Sequence, residues 1–204
     1  MKTALSRDEV RAAILDAADR LLARRGYKKM TVGELAREAG IGKGTVYLHF
    51  ASKEEVALSQ VDAIVERLKE RLRETARSKA APAEKLRRML VERVTYRFDS
   101  VQHYTESLDE LLAALRPDLL ARRQRYFEEE AEIFAAVLGD GQRRKVFAIG
   151  DPLKAAGLLV AATNSLLPYS LSVRELGMRD EIEDRASRMA TLLLKGLLVR
   201  RARR

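Results

Sequence analysis

Apolar residues recur along most of the chain at the three- and four-residue spacing of an amphipathic helix. Within each of the segments 10–22, 56–72 and 182–197 they fall on one helical face. We find no convincing alternation of apolar and polar residues of the kind that marks a half-buried strand, and no repeat of fixed period. The pattern therefore predicts an all-α protein.

Capping signals divide this pattern into separate helices. Ser6, Thr31 and Ser52 are each followed three residues later by a glutamate, as in a capping box, where two side chains satisfy free backbone amides. Glycines, prolines and an Asp-Pro pair indicate the other ends. We expect breaks at "RPD" (116–118) and "GDG" (139–141), and helices over 7–25, 32–39, 43–50, 53–78, 82–100, 117–138, 152–169 and 179–199.

Closely spaced glycines follow the second predicted helix, and two interpretations compete for them. A phosphate-binding loop would need a preceding strand and a glycine five residues before Gly42, where Arg37 stands. A helix-turn-helix needs a glycine in the turn between two short helices, and Gly40 occupies that place. Gly42 and Gly44 would then leave the start of the next helix without bulk, so that it could enter the major groove of DNA.

Polar side chains lie on the predicted outer side of the third helix. We predict Lys43, Thr45 and Tyr47 as contacts in or beside the groove, with Gly44 allowing the close approach. Thr31, His49 and Lys53 are predicted to bind phosphates, two of them at helix N-termini with free amides. Each has a simpler alternative: Thr31 caps a helix in any case, Tyr47 could pack on the first helix, and His49 could be an ordinary surface histidine.

The segment "ILDAADRLLARRGYKKMTVGELAREAGIGKGTVYLHFASKEEVAL" (14–58) resembles the TetR family of bacterial transcriptional regulators. In particular, "YLHF" followed by "SKE" occurs at the family's spacing. The resemblance implies that the third helix is the recognition helix and that Tyr47 and Lys53 bind phosphate. It also implies an all-helical C-terminal region that binds an effector and dimerises. We therefore expect a helix-turn-helix domain over 1–52 and an effector-binding, dimerising helical bundle over 53–204.

Two sets of C-terminal residues are candidates for these roles. The dimer interface would use apolar residues of the last two long helices, although both stripes could instead be intramolecular core: Leu158, Ala162, Leu166, Met189, Leu193 and Leu197. The effector pocket would be lined largely by aromatic residues, although aromatics at helical spacing are usually core: Met89, Tyr96, Phe98, His103, Tyr104, Leu111, Phe127, Phe134 and Asn164.

Composition and charge limit the remaining classes of function. The net charge of +9 favours an anionic partner, although acidic and basic residues alternate along most helices. The chain has no Cys, and neither His49 nor His103 has a nucleophile at a telling spacing, so we expect no enzyme, no cofactor and no metal site. The N-terminus lacks the apolar core of a signal peptide, which suits a cytoplasmic protein without a membrane partner.

These observations predict a ligand-responsive transcriptional regulator. It would most simply be a repressor that binds a palindromic DNA operator as a homodimer and is released by a small apolar or amphipathic effector. The alternative is a charge-driven protein that coats DNA or lies on a membrane surface without operator specificity, with "RRARR" at the C-terminus contributing to the attraction.

Overall fold

The computed structural model describes residues 6–104, 108–171, 175 and 177–199, and their fold is all-α as predicted. Short 3₁₀ turns at Gln102–Tyr104 and Pro168–Ser170 connect some of the helices. The helices are α1 (Arg7–Lys29), α2 (Val32–Glu38), α3 (Lys43–His49), α4 (Lys53–Arg77), α5 (Pro82–Val101), α6 (Leu108–Arg143), α7 (Pro152–Asn164) and α8 (Arg179–Leu197).

The predicted caps start the helices of the N-terminal region. Ser6 with Glu9 and Thr31 with Glu34 form complete capping boxes. At Ser52 only half of the box is present, because the backbone amide of Glu55 donates to the Ser52 hydroxyl at 3.2 Å while the Glu55 carboxylate accepts from the amide of Ala51. The helix starts read from the sequence are therefore correct, and one cap is built differently.

Helix α1 is interrupted where the sequence places its end. Gly26 has φ 74° and ψ 169°, and a last short turn follows to Lys29. The positive φ is the conformation for which glycine is suited, but the ψ value is extended rather than left-handed helical. Gly26 therefore interrupts α1 directly after residue 25, where the predicted helix ends.

The predicted breaks at 116–118 and 139–141 are wrong, because α6 runs continuously from Leu108 to Arg143. Pro117 lies exposed within it, where water can bond the backbone carbonyl that the proline leaves without a partner. Gly141 is explained by packing: a Cβ there would lie 2.2 Å from Cδ2 of Phe147. These residues permit a long helix that local signals alone would end.

The predicted helix over 152–169 is too long, because α7 ends at Asn164. Its start is correct: the Asp151 carboxylate accepts from the amides of Leu153 at 2.8 Å and Lys154 at 3.2 Å. The end follows from Pro168, which disfavours helical backbone at the preceding residue. Leu167 is accordingly extended (φ −83°, ψ 149°).

The chain divides into two compact units. The first consists of Met1–Ile64 with Gln102–Ala121, and the second of Val65–Val101 with Arg122–Arg204. The predicted domain boundary at residue 52 falls within the first unit. The core of the second unit is formed by α5, α7, α8 and the adjoining parts of α4 and α6, with Met89, Phe134 and Leu159 among its buried residues. None of the described helices is long and apolar enough to cross a membrane.

Candidate nucleic-acid interface

A glycine turn joins α2 to α3. Gly40 has φ 69°, its amide donates to the carbonyl of Arg37, and the amide of Ile41 donates to that of Ala36 at 2.9 Å. This pair of bonds is a Schellman motif, which needs a left-handed residue at Gly40. Gly42 is the N-cap residue of α3 and makes no side-chain hydrogen bond to it. Two short helices around such a turn make a helix-turn-helix.

Helix α1 supports this unit from behind. Leu35 of α2 and Val46 of α3 are fully buried, as are the inward residues of α1 such as Ile14. Arg11 holds the far end of α3, since its guanidinium donates to the His49 carbonyl at 3.4 Å and stacks on the ring of Phe50 at 4.3 Å. Helix α3 is thus held by packing on one face, and the opposite face is exposed.

The exposed face of α3, called the free face below, has no side chain at Gly44 in its first turn. Lys43 and Gly44 are exposed, and a Cβ built at Gly44 meets no atom within 4 Å. The glycine is therefore not required by packing inside the protein. Tyr47 is 55% exposed, so the alternative that it packs on α1 does not describe this structure. Thr45 and His49 are half-buried at the edges of the same face.

Lys43 also lies against the start of α2. Its Cε atom is 3.3 Å from the position that a Cβ on Gly33 would take, and Thr31 Oγ1 is close by. The lysine side chain therefore crosses Gly33 toward the capped end of α2. This brings two predicted contact residues, Lys43 and Thr31, to one corner of the surface.

Lys53 is partly held by the protein itself. Its ammonium donates to the Tyr27 carbonyl at 3.3 Å and lies 4.4 Å from the centre of the Tyr27 ring. The Tyr27 hydroxyl in turn donates to Glu54 at 2.7 Å, and burial together with this carboxylate raises the pKa of Tyr27. An ammonium has three donors, so Lys53 can still contact a phosphate from this fixed position.

Electrostatics distinguish this surface from the rest of the first unit. Residues 39–53 contain lysines and a histidine but no Asp or Glu. The two carboxylates of α2 are turned toward α1: Glu38 pairs with Arg20 at 2.8 Å and Arg24 at 2.6 Å, and Glu34 pairs with Arg25. The hydrogen bonds from Arg20 and Arg24 lower the pKa of Glu38. Residues 39–53, which carry the free face of α3, therefore contribute positive charge and no carboxylate.

Some residues of this surface are missing from the sequence prediction. Leu48 is 76% exposed in the middle of α3, although its apolar character suggested core. Its position between Tyr47 and His49 on a short helix was the available indication. Arg11 could not be recognised, because its role depends on a contact with residues 38 and 48 positions away.

The predicted pocket residues do not form one group. Met89 and Phe134 belong to the core of the second unit, with Tyr96 and Phe127 packed against it, and Phe98 is also buried. Tyr104 and Leu111 are buried in the first unit, where the Tyr104 hydroxyl bonds Asp19. The side chain of His103 lies outside the described residues. Asn164 accepts a hydrogen bond from Tyr169 in the second unit.

The predicted dimer residues differ in exposure. Leu158 is 72% exposed on α7, whereas Leu166 is buried and Ala162, Met189, Leu193 and Leu197 are partly buried. Leu153 on α7 and Leu192 on α8, which the sequence prediction omitted, are also exposed. Apolar surface on these two helices is therefore present, on a somewhat different set of residues.

The first unit has the architecture of a helix-turn-helix DNA-binding domain, and comparison with known proteins agrees. Residues 14–59 match the family of bacterial regulatory proteins called the tetR family. The fatty acid metabolism regulator protein of Bacillus subtilis is 37% identical over 73 residues, which are 36% of this chain and 38% of that protein. This confirms the resemblance read from the sequence: residues 14–59 are similar to the N-terminal domain of the TetR family.

Solved structures extend the likeness in fold to the whole chain. A TetR-family regulator from Pectobacterium atrosepticum overlaps 98% of this chain and 99% of its own, with a TM-score of 0.73 and 22% identity. The SmeT–triclosan complex covers 93% of this chain and 92% of its own, with a TM-score of 0.63 and 19% identity. In sequence, however, the curated relatives are matched over less than half of their length. They are regulators, which supports the expectation of a non-enzyme.

Proposed function

We propose that this protein is a ligand-responsive transcriptional regulator that binds a palindromic DNA operator. The observation that carries the proposal is the free face of α3, which has an uncrowded glycine, Gly44, in its first turn and exposes Lys43 and Tyr47 in a segment (39–53) that contains no Asp or Glu. A helix of this kind can enter the major groove while Thr31 and Lys53 hold the flanking phosphates. Thr45 and His49 would contribute at the edges of the contact.

Dimerisation follows from the number of bases that one such unit can read. A single recognition helix reads few base pairs, so specific binding calls for two copies about one helical turn apart. Leu153, Leu158 and Leu192 expose apolar side chains on α7 and α8 and are available for a symmetric contact between two copies of the chain. We therefore place the homodimer interface on these helices.

An effector would bind the second unit and change the affinity for the operator. Helices α4 and α6 each contribute residues to both units, so they connect the two parts covalently. The effector would favour a conformation whose recognition helices no longer match the half-site spacing. SmeT was solved with triclosan, and the relative from Bacillus subtilis is named for fatty acid metabolism, so small amphipathic molecules are the class to test. Such a regulator would act in the cytoplasm, on DNA.

The test is a selection of bound genomic fragments by the full-length protein at physiological salt. The proposal expects enrichment of a small set of fragments that share a two-fold symmetric site. A Tyr47→Ala variant, which changes a residue that is 55% exposed, should remain folded and lose the enrichment. Enrichment of fragments without a common site would contradict the proposal and favour a DNA-coating protein.

A further inference from the structure

The second unit contains a buried group of charges that the proposed DNA contact does not use. Arg93 on α5 is completely buried, as is Glu130 on α6, and Arg97 is nearly so. The Arg93 Nε atom donates to Glu130 Oε2 at 2.5 Å, and Arg97 bonds both oxygens of the same carboxylate. Two guanidinium groups therefore share one carboxylate, which leaves an excess positive charge away from water.

One nitrogen of Arg93 makes no hydrogen bond to any residue that the structure describes. Its Nη1 atom donates to the hydroxyl of Thr163 at 2.9 Å, and that hydroxyl donates onward to backbone carbonyls of α7. The Nη2 atom is buried, yet it donates no hydrogen bond within the described part of the chain. Buried polar atoms of this kind are costly and are usually satisfied. Lys69 offers a contrast, since two carboxylates neutralise it.

Aromatic residues connect this group to the surface. The Phe127 ring lies 5.4 Å from the guanidinium of Arg93 and 5.7 Å from that of Arg123, which is exposed. Tyr169 is half-buried; burial raises the pKa of its hydroxyl, and the positive charges of Arg93 and Arg97 act in the opposite direction. A molecule that displaced the partly buried Phe127 ring, which packs against the apolar core, would come close to the guanidinium of Arg93.

We propose that Arg93 and Arg97 bind the carboxylate of an amphipathic acid, and that this acid is the effector of the regulator proposed above. A carboxylate fits because the guanidinium fork binds two oxygens in one plane, and because one negative charge neutralises the excess charge of the group. The half-buried rings of Phe127 and Tyr169 and the apolar core beyond them suit the rest of such a molecule. Glu130 competes with the incoming acid for the same guanidinium groups.

The test compares acids with their uncharged carboxamides of equal shape. Isothermal titration calorimetry measures the affinity of the full-length protein and its variants for each acid and for its carboxamide. The acids are decanoate, hexadecanoate and naphthalene-2-acetate. We expect at least one acid to bind at least tenfold more tightly than its carboxamide. Arg93→Met should abolish that preference, whereas Arg88→Met, which changes an exposed arginine of the same helix, should leave it unchanged. The variants' melting temperatures show whether they are folded.

Glu130→Gln gives a second, opposite prediction. It keeps the shape of the side chain and removes the competing charge, so the preference for the acid should rise. A structural ion cluster alone would lower the melting temperatures of Arg93→Met and Glu130→Gln without changing the ratio of acid to carboxamide affinity. That result, or equal affinities for every pair in the unaltered protein, would overturn the inference.

Operator binding separates this inference from the proposed function. If the protein binds its operator specifically and no acid is preferred, the acid site fails and the regulator stands. If an acid is preferred through Arg93 and operator binding is absent, the site stands and the role of the acid as an effector fails. Release of operator DNA by the acid but not by its carboxamide would support both.

Discussion

Replacing Gly44 by alanine should have opposite effects on the stability of the free protein and on its affinity for DNA. A Cβ at this position meets no atom within 4 Å, and Gly44 does not have a positive φ. Alanine is therefore accommodated without strain near the start of α3. Because glycine is the poorer helix former, the free energy of unfolding should rise by about 0.5–1 kcal/mol.

The added methyl group should nevertheless weaken operator binding. If the start of α3 approaches the DNA closely, the methyl group displaces it and costs one charge-assisted contact with a phosphate, about 1.5 kcal/mol or roughly tenfold in affinity. Urea unfolding measures the first effect, and fluorescence anisotropy with an operator fragment measures the second.

Two other glycines serve as controls for this experiment. Gly150→Ala also adds a methyl group in open space, but far along the chain from the helix-turn-helix, and should leave DNA affinity unchanged. Gly40→Ala places a side chain at φ 69° and should destabilise the protein by about 1–2 kcal/mol. Unchanged operator affinity for Gly44→Ala would refute the argument that this glycine serves a close approach to DNA.

Three further predictions concern packing, assembly and pH. Gly141→Ala places a Cβ 2.2 Å from Phe147 and should lower the free energy of unfolding in urea by about 1–3 kcal/mol, whereas Gly139→Ala, which meets mainly a flexible arginine, should not. Leu158→Glu should convert the dimer to monomers in sedimentation velocity, while Leu120→Glu on the exposed side of α6 leaves the mass unchanged. Burial acts to raise the pKa of Glu130, but Arg93 and Arg97 outweigh it and lower the pKa from 4.5 to about 2. The charged form of Glu130 therefore stabilises the fold fully above pH 4.5, and this contribution, on the order of 3 kcal/mol, should be lost as the pH falls toward 2. Denaturant unfolding at several pH values should show a shallower acid dependence for Glu130→Gln; equal slopes would contradict the assignment.

The elements that the sequence predicts well are those with local chemical causes. Each of these causes acts within a few residues of the chain, so it can be read directly. Examples are the cap formed by Thr31 and Glu34, the turn at Gly40, and the cap of Asp151 before Pro152. The errors arise where tertiary packing decides. The sequence predicts a helix end at Gly141, because the packing of this glycine against Phe147 cannot be inferred from the glycine itself.

In the candidate sites, too, features with a local cause can be predicted from the sequence and features that depend on distant contacts cannot. The outward face of α3 follows from helical spacing, so the exposure of Lys43 and Tyr47 could be anticipated. The restraint of Lys53 by Tyr27 could not, because it joins residues 26 positions apart. The cluster of Arg93, Arg97 and Glu130 was also missed, since charged residues on helices are usually solvated and no local pattern brings α5 and α6 together.

A competition experiment between operator DNA and scrambled DNA tests directly whether this protein is specific for an operator. The full-length protein is bound to DNA from upstream of its own coding region, or to the fragment that the genomic selection recovers, against a scrambled duplex at physiological salt and over a salt titration. If the protein is operator-specific, it should protect a two-fold symmetric site and bind it at least about a thousandfold more tightly than the scrambled DNA. Equal affinities for both duplexes, falling together steeply with salt, would contradict operator specificity, because charge alone would then explain the binding.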